Sequence, residues 1–289
     1  MKQNLFDNLA VFLLKEGFTI KRLTRTCFDA LARKDNTILL IKLLEDANSI
    51  NYQFADEMKK ISSYVNGSPL IIAEKAGGKL EDNVVYSRFG VYTLNFDTFK
   101  NSIHNRYPFI KRSQAGLTAS VIGKKLKEKR EELGISLSSA SKKIGVSARM
   151  VAKYEDGDSE VTLNKAFKIY DVFGHEVFNK IDILSVEKHI DTDGKSDLTK
   201  HYSALGFDAA ETKRAPFDII AKKEKEIILT EVGDKTRPEL HSISRMVDAD
   251  NLAIFEKKKP KDIPAITKKE FMDFEKANEL IKFLKEFYA

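Results

Sequence analysis

The feature that most constrains this chain is a pattern that returns after a fixed spacing of 189 residues. Gly17-Phe18 reappears as Gly206-Phe207, Phe28-Asp29-Ala30-Leu31-Ala32 as Phe217-Asp218-Ile219-Ile220-Ala221, and Ile38-Leu39-Leu40 as Ile227-Ile228-Leu229. Further on, Leu70-Ile71-Ile72-Ala73-Glu74-Lys75 matches Leu252-Ala253-Ile254-Phe255-Glu256-Lys257 across a shorter connection. A single dipeptide match is chance. A common order at one spacing implies two copies of one folding unit, and overlooking a repeat misassigns the whole architecture. With 289 residues the chain has room for two or three domains.

Each copy reads as mixed α and β. In the first, an amphipathic helix carrying Leu5, Leu9, Phe12 and Leu13 leads to Gly17. Apolar and β-branched runs at residues 18–23, 28–32 and 37–43 predict strands. A helix is expected at 57–64, with further strands at 70–74 and 91–94. The domains expected are 1–103 and 195–289, both mixed α/β. A basic linker is expected at 104–119, including Ser113, Ala115 and Gly116, and a loop-like run at residues 191–194.

Between the copies, residues 120–185 lose the strand signature and predict an all-α domain. Ile122, Leu126 and Leu133 would line a first helix ending at Gly134. Ser136 is placed to cap a second with Leu137, Ala140 and Ile144 inward. Gly145 supplies a positive-φ turn and Val146 a core plug. Ser147 caps a third helix with Val151 and Tyr154 inward, ended by Asp156-Gly157. Thr162 opens a fourth that runs to about Phe173. Two short helices about a tight glycine turn form a helix-turn-helix, whose second helix enters the major groove.

The residues expected at DNA are Ser136, Ser138, Lys142, Lys143, Ser147, Ala148, Arg149, Met150, Ala152 and Lys153. Arginine can grip guanine through two hydrogen bonds, and lysine can reach guanine or phosphate. Charge agrees with this placement. Residues 121–155 hold nine basic and four acidic side chains, and Arg106, Lys111 and Arg112 precede them with no acid among residues 101–120. A basic block inside a chain of net charge +6 is the footprint of a polyanion site.

The segment Ile135-Ser136-Leu137-Ser138-Ser139-Ala140-Ser141-Lys142-Lys143-Ile144-Gly145-Val146-Ser147, followed by Val151 and Lys153-Tyr154-Glu155-Asp156-Gly157, resembles the repressor/Cro (XRE) class of DNA-binding domains. Members often carry glutamine where Leu137 stands, to clamp phosphate, and leucine cannot do that. The whole chain is similar to a group of archaeal helix-turn-helix transcriptional regulators, through Cys27-Phe28-Asp29 and Ala215-Pro216-Phe217-Asp218. The resemblance implies regulation of transcription and supplies no target.

The alternative is a nuclease or branched-DNA-processing enzyme built on the flanks. An apolar-Asp pair before a hairpin and strand resembles the PD-(D/E)xK nuclease fold, where two carboxylates hold Mg²⁺ and a lysine orients water. The first copy offers Asp29 and Lys42, with Leu40 at the second carboxylate position. The second offers Asp218, with Leu229 and Glu231 at the corresponding places. Neither has both acids and the lysine, so both flanks read as inactive, degenerate nuclease-like domains. A plainer role for Asp29 and Asp218 is to cap a turn at a strand end.

Other classes are not supported. The longest apolar runs fall far short of a membrane span of roughly 20 residues. Asp7 and Lys15 bracket the first of them, unlike a signal peptide. One cysteine, Cys27, forms no internal disulfide, and His104, His175, His189, His201 and His241 are scattered. Ala76-Gly77-Gly78-Lys79 lacks the first glycine and the Ser/Thr of a phosphate loop. The expectation is therefore a cytoplasmic, cofactor-free, non-enzymatic regulator that binds double-stranded DNA as a homodimer, with no membrane partner and any small-molecule effector unknown.

Overall fold

The structure, a computed structural model, describes residues 2–113, 116–185, 196–234 and 237–287. The run at residues 191–194, His189 and Ala115 lie outside them. The chain divides into two compact units, residues 1–71 with 184–289, and residues 72–183.

The first copy opens on α1 (Lys2–Lys15), with Leu9 and Leu13 fully buried one turn apart. Gly17, at φ +84°, turns the chain into β1 (Thr19–Arg22), β2 (Ala30–Lys34) and β3 (Thr37–Asp46), an antiparallel meander. Most of β3 is buried, as its apolar run requires. Asn51 caps α2 (Tyr52–Val65) by accepting from Phe54 N at 2.9 Å, and Asn66 ends it in the left-handed region. β4 (Ser68–Ala76) follows beside β3, and the division between units falls inside it.

The unit of residues 72–183 continues with β5 (Gly78–Lys79), β6 (Val84–Arg88), β7 (Val91–Leu94) and α3 (Phe96–Ile103). Then come β8 (Ile110–Ser113), β9 (Gly116–Val121), α4 (Gly123–Glu132), α5 (Leu137–Ile144), α6 (Ala148–Asp156), β10 (Ser159–Thr162) and α7 (Leu163–Phe173). β8 pairs parallel with β6 and antiparallel with β9, which pairs antiparallel with β10. The expected linker thus holds two strands, and the expected all-α stretch contains a third. Ser, Thr, Lys and Gly dominate these short strands, so their β preference is weak and tertiary pairing decides. Their inward residues Ala119, Val121 and Val161 pack into the helical core.

The second copy comprises α8 (Asp197–Ala204), β11 (Asp208–Glu211), β12 (Ile219–Lys223), β13 (Glu226–Val232), α9 (Leu240–Val247), β14 (Asp250–Phe255), β15 (Ala265–Thr267), α10 (Lys268–Met272) and α11 (Ala277–Glu286). Its sheet runs β11-β12-β13-β14-β15, the last two joins parallel. Tyr202, Phe207 and Phe271 pack in its core, each burial stabilising by roughly 1.5–3 kcal/mol.

The two copies share one strand register over β1–β3 and β11–β13. Ile20 faces Ala32 as Ala209 faces Ala221, and Ala30 faces Ile41 as Ile219 faces Thr230. Lys34 donates to Glu16 O at 2.7 Å and lies 5.8 Å over Phe18; Lys223 donates to Leu205 O at 3.1 Å and lies 5.8 Å over Phe207. Every one of these pairs keeps the 189-residue spacing.

The copies also bind each other, and they do so reciprocally. Arg33 of β2 donates to Met246 O at 3.1 Å and pairs with Asp248, which ends α9. Its counterpart Lys222 of β12 donates at 2.9 Å to Asn66, which ends α2. Each copy thus gives its β2-type strand to the other's helix end. This is the self-complementary arrangement of a twofold dimer, formed within one chain.

Candidate nucleic-acid interface

The helix-turn-helix is built from its caps. Ser136 Oγ accepts from Ser139 N at 3.1 Å and starts α5, while Ser147 Oγ accepts from Met150 N at 3.2 Å and starts α6. Such caps stabilise a helix by about 1 kcal/mol each. Gly145 ends α5 at φ +75°, where a side chain would be strained and would also meet the Lys168 and Lys165 ammoniums. Ala140, Ile144 and Val151 are fully buried between the helices, and Val146 is half-buried against them. Thr162 opens α7 without a side-chain cap bond. Leu133 lies beyond the end of α4 and is 49% exposed; Ile135 packs on the core instead.

Of the expected DNA-facing residues, Ser136, Ser138, Lys142, Lys143, Ser147, Ala148, Arg149, Met150 and Lys153 are exposed and Ala152 is half-buried. They lie on α5 and α6 and at their N-caps. Leu137 is half-buried against the core cluster, so it packs inward where a glutamine would reach out.

Two features of the site carried no sequence signal. Arg130 of α4 holds Glu155 of α6 in a two-point ion pair, Nε–Oε1 2.6 Å and Nη2–Oε2 2.9 Å, and also donates to Ile135 O at 3.0 Å. Arg130 therefore leaves the polyanion count and becomes a brace for the recognition helix. Gly123 starts α4 so close to α6 that an added Cβ would lie 2.6 Å from Tyr154 O. Only a glycine permits that approach. The i to i+4 logic of helix reading cannot reveal either contact, because both join different helices.

The nuclease-like positions sit in the other unit. Asp29 Oδ2 accepts from Leu43 N at 2.9 Å and Oδ1 faces Lys42 at 3.4 Å. Asp218 Oδ2 accepts from Val232 N at 2.8 Å and Oδ1 binds Arg237 at 2.8 Å. Leu40 and Leu229 hold the place of a second carboxylate, side by side with Leu31 and Ile220 in the sheet register. Glu231, where a lysine would stand, is buried and pushed up to about 7 by that burial, although Arg237 N donates to it at 2.7 Å. Asp29 facing Lys42 in one copy, and Asp218 and Glu231 sharing Arg237 in the other, do not fit a hard divalent ion, which needs several oxygen ligands. Among the described residues no group of three His, Cys, Asp or Glu could hold a metal, and no helix is long and apolar enough to cross a membrane.

Comparison with known proteins agrees with both parts. Residues 2–108 match the PD-(D/E)XK superfamily domain, and residues 126–175 match the helix-turn-helix family that includes XRE-type domains. Curated relatives span the whole chain. A protein of Archaeoglobus fulgidus is 31% identical, covering 98% of this chain and 97% of its own, and one of Methanobrevibacter smithii is 32% identical, covering 97% and 95%. One from Methanocaldococcus jannaschii is 30% identical, covering 99% and 97%. All three are described as a "putative HTH-type transcriptional regulatory protein". No solved structure matches the chain.

Proposed function

We propose, from the premise that this chain belongs to the archaeal family of HTH-type transcriptional regulatory proteins, how its DNA-binding regulation is carried out. The N-terminal turn of α6 enters the major groove. Arg149 and Met150 meet base edges, Ala148 and Ala152 pack close, and Lys153, Lys142 and Lys143 meet phosphates with the hydroxyls of Ser136, Ser138 and Ser147. The carrying observation is that Arg149 stands exposed on a helix end whose cap, turn and Arg130–Glu155 brace are all in place. A preorganised helix spends little free energy on ordering when it binds.

The division of labour proposed is 120–185 for DNA reading, with 1–103 and 195–289 as inactive nuclease-like domains and 104–119 joining them. The chain is not an enzyme in this reading, because Asp29 and Asp218 are tied to strand amides and to cations, and Glu231, the second carboxylate beside Asp218, shares Arg237 with it. It acts in the cytoplasm.

One helix-turn-helix per chain reads a half-site, so the regulator works as a homodimer on its operator. Two arrangements are open to the flanks, a dimer contact between chains or pairing with each other inside one chain. Their facing surfaces are engaged with each other inside the chain, through Arg33–Asp248 and Lys222–Asn66, which favours assembly on DNA through the middle domain.

Selection of bound duplexes from a random pool tests this function. The expected result is a motif with twofold symmetry. Recovery of unrelated duplexes, with no enriched motif, would overturn sequence-specific regulation.

A further inference from the structure

The reciprocal pairing of the two copies leaves two related clefts where the loop before β2 meets the loop before β12. They are close in size, about 660 and 650 Å³, within the range of sites for small ligands. Arg25 borders both. Their charge differs.

The first cleft is lined by Arg25, Lys213 and Arg214. Arg25 and Arg214 are counterparts at the 189-residue spacing, brought together where Cys27 N donates to Arg214 O at 2.8 Å. None of the three cationic heads has an anionic partner among the described residues; Arg214 only stacks, 4.7 Å over the Phe54 ring. Two acids, Asp56 and Glu57, share the lining, and both are engaged. Glu57 is buried and accepts from Lys213 N at 2.8 Å, and Asp56 pairs with Lys59 at 3.4 Å. Arg25 is also held at φ +61°, an unfavourable region for arginine.

The second cleft is the internal comparison. Thr24 stands there in the place of Lys213, and Glu239 in the place of Glu57 at the shorter spacing that relates Leu70 to Leu252. Its own arginine, Arg237, is bound to Asp218 at 2.8 Å and faces Glu231 at 3.7 Å. The first cleft has therefore kept three cations unpaired, whereas the second shares Arg25 with it and has neutralised its own arginine.

We propose that the Arg25–Lys213–Arg214 cleft binds a small phosphorylated molecule of nucleotide size. Two guanidiniums and an ammonium converge on one cavity, and arginine matches phosphate with paired N–H donors. The start of α2, a 14-residue helix, forms part of the wall and adds its positive end. The exposed ring of Tyr52 at the rim can cover a flat base. The ligand is bound and not cleaved, since the carboxylates in the lining, Asp56 and Glu57, are engaged by Lys59 and by the Lys213 amide. This site goes beyond the DNA reading and does not depend on it.

The test is calorimetric titration of the full-length chain at low salt with inorganic pyrophosphate, with adenosine diphosphate, and with a 12-nucleotide single strand. Pyrophosphate and the diphosphate should both bind. Arg25→Ala/Arg214→Ala should weaken both at least tenfold, with far-ultraviolet circular dichroism unchanged. Lys258→Ala/Lys259→Ala, which removes equal charge elsewhere, should leave them within twofold. No binding of either small anion at millimolar concentration, equal losses in the two double variants, or binding of the single strand alone would overturn the proposal. Operator binding, measured on the same proteins, reports separately on the helix-turn-helix.

Discussion

Arg130 and Glu155 join α4 to α6 through two parallel hydrogen bonds, with side chains only 11% and 5% exposed. The geometry is bidentate, which is the strong form of an ion pair. Removing one partner of a largely buried pair leaves the other unpaired. Glu155→Ala or Arg130→Ala should therefore destabilise the middle domain by about 3 kcal/mol. Denaturant titration checks it. A loss below about 0.5 kcal/mol would show that the pair is a surface contact of little weight.

Arg149 has no such structural duty, being exposed and without an ion pair among the described residues. Arg149→Ala should leave thermal stability within about 0.5 kcal/mol. It should weaken operator binding by about 1–3 kcal/mol and relax base preference. Competition binding on operator and scrambled duplexes separates the two effects. Unchanged preference would remove α6 from the recognition role.

These two arginines show where sequence reading succeeds and where it stops. Ser136, Gly145 and Ser147 were legible because capping and positive-φ turns are local, set by residues within four positions. Arg130 was counted with Arg149 as part of one basic block, because composition cannot tell a paired arginine from a free one. The duplicated fold was legible from glycines and buried runs, down to matching strand register. Reciprocal binding of the copies was not, since Arg33 and Asp248 lie 215 residues apart and carry no pattern. Strands β8, β9 and β10 were missed because their sequence is polar and short, and Leu133 was assigned inward although the helix ends before it.

The nuclease alternative yields a direct assay. No Mg²⁺-dependent cleavage of duplex, branched or single-stranded DNA is expected, because Leu40 and Leu229 remove the second carboxylate. Turnover that disappeared in Asp29→Ala or Asp218→Ala would revive the enzyme.

Glu231 gives a pH dependence. Burial pushes it up to about 7 from its ordinary value of 4.5, so folding favours the protonated acid. A group whose folded value is raised contributes fully below its unfolded value and loses that contribution as pH rises through the folded one. Stability should thus fall between about pH 4.5 and 7 on account of this residue. Glu231→Gln should flatten that slope and stabilise the protein at pH 8 by about 1–3 kcal/mol. Melting temperatures at pH 5 and pH 8 decide it. An unchanged difference between the two would show that Arg237 already satisfies the carboxylate.

Assembly is the last expectation. A dimer through the flanks would have to displace Arg33 from Asp248 and Lys222 from Asn66, contacts already made inside the chain. Free middle domains repel through their basic block, and duplex phosphates remove that repulsion by neutralising it. On α7 the rings of Phe167 and Tyr170 are 54% and 46% exposed and one turn apart, a patch that a second copy on the adjacent half-site can cover. The free protein should therefore sediment as a monomer, and two chains should load cooperatively on one operator. Phe167→Ser should reduce that cooperativity while leaving half-site affinity within twofold. One chain per operator, or a dimer already stable without DNA, would place the contact elsewhere or end the dimer proposal.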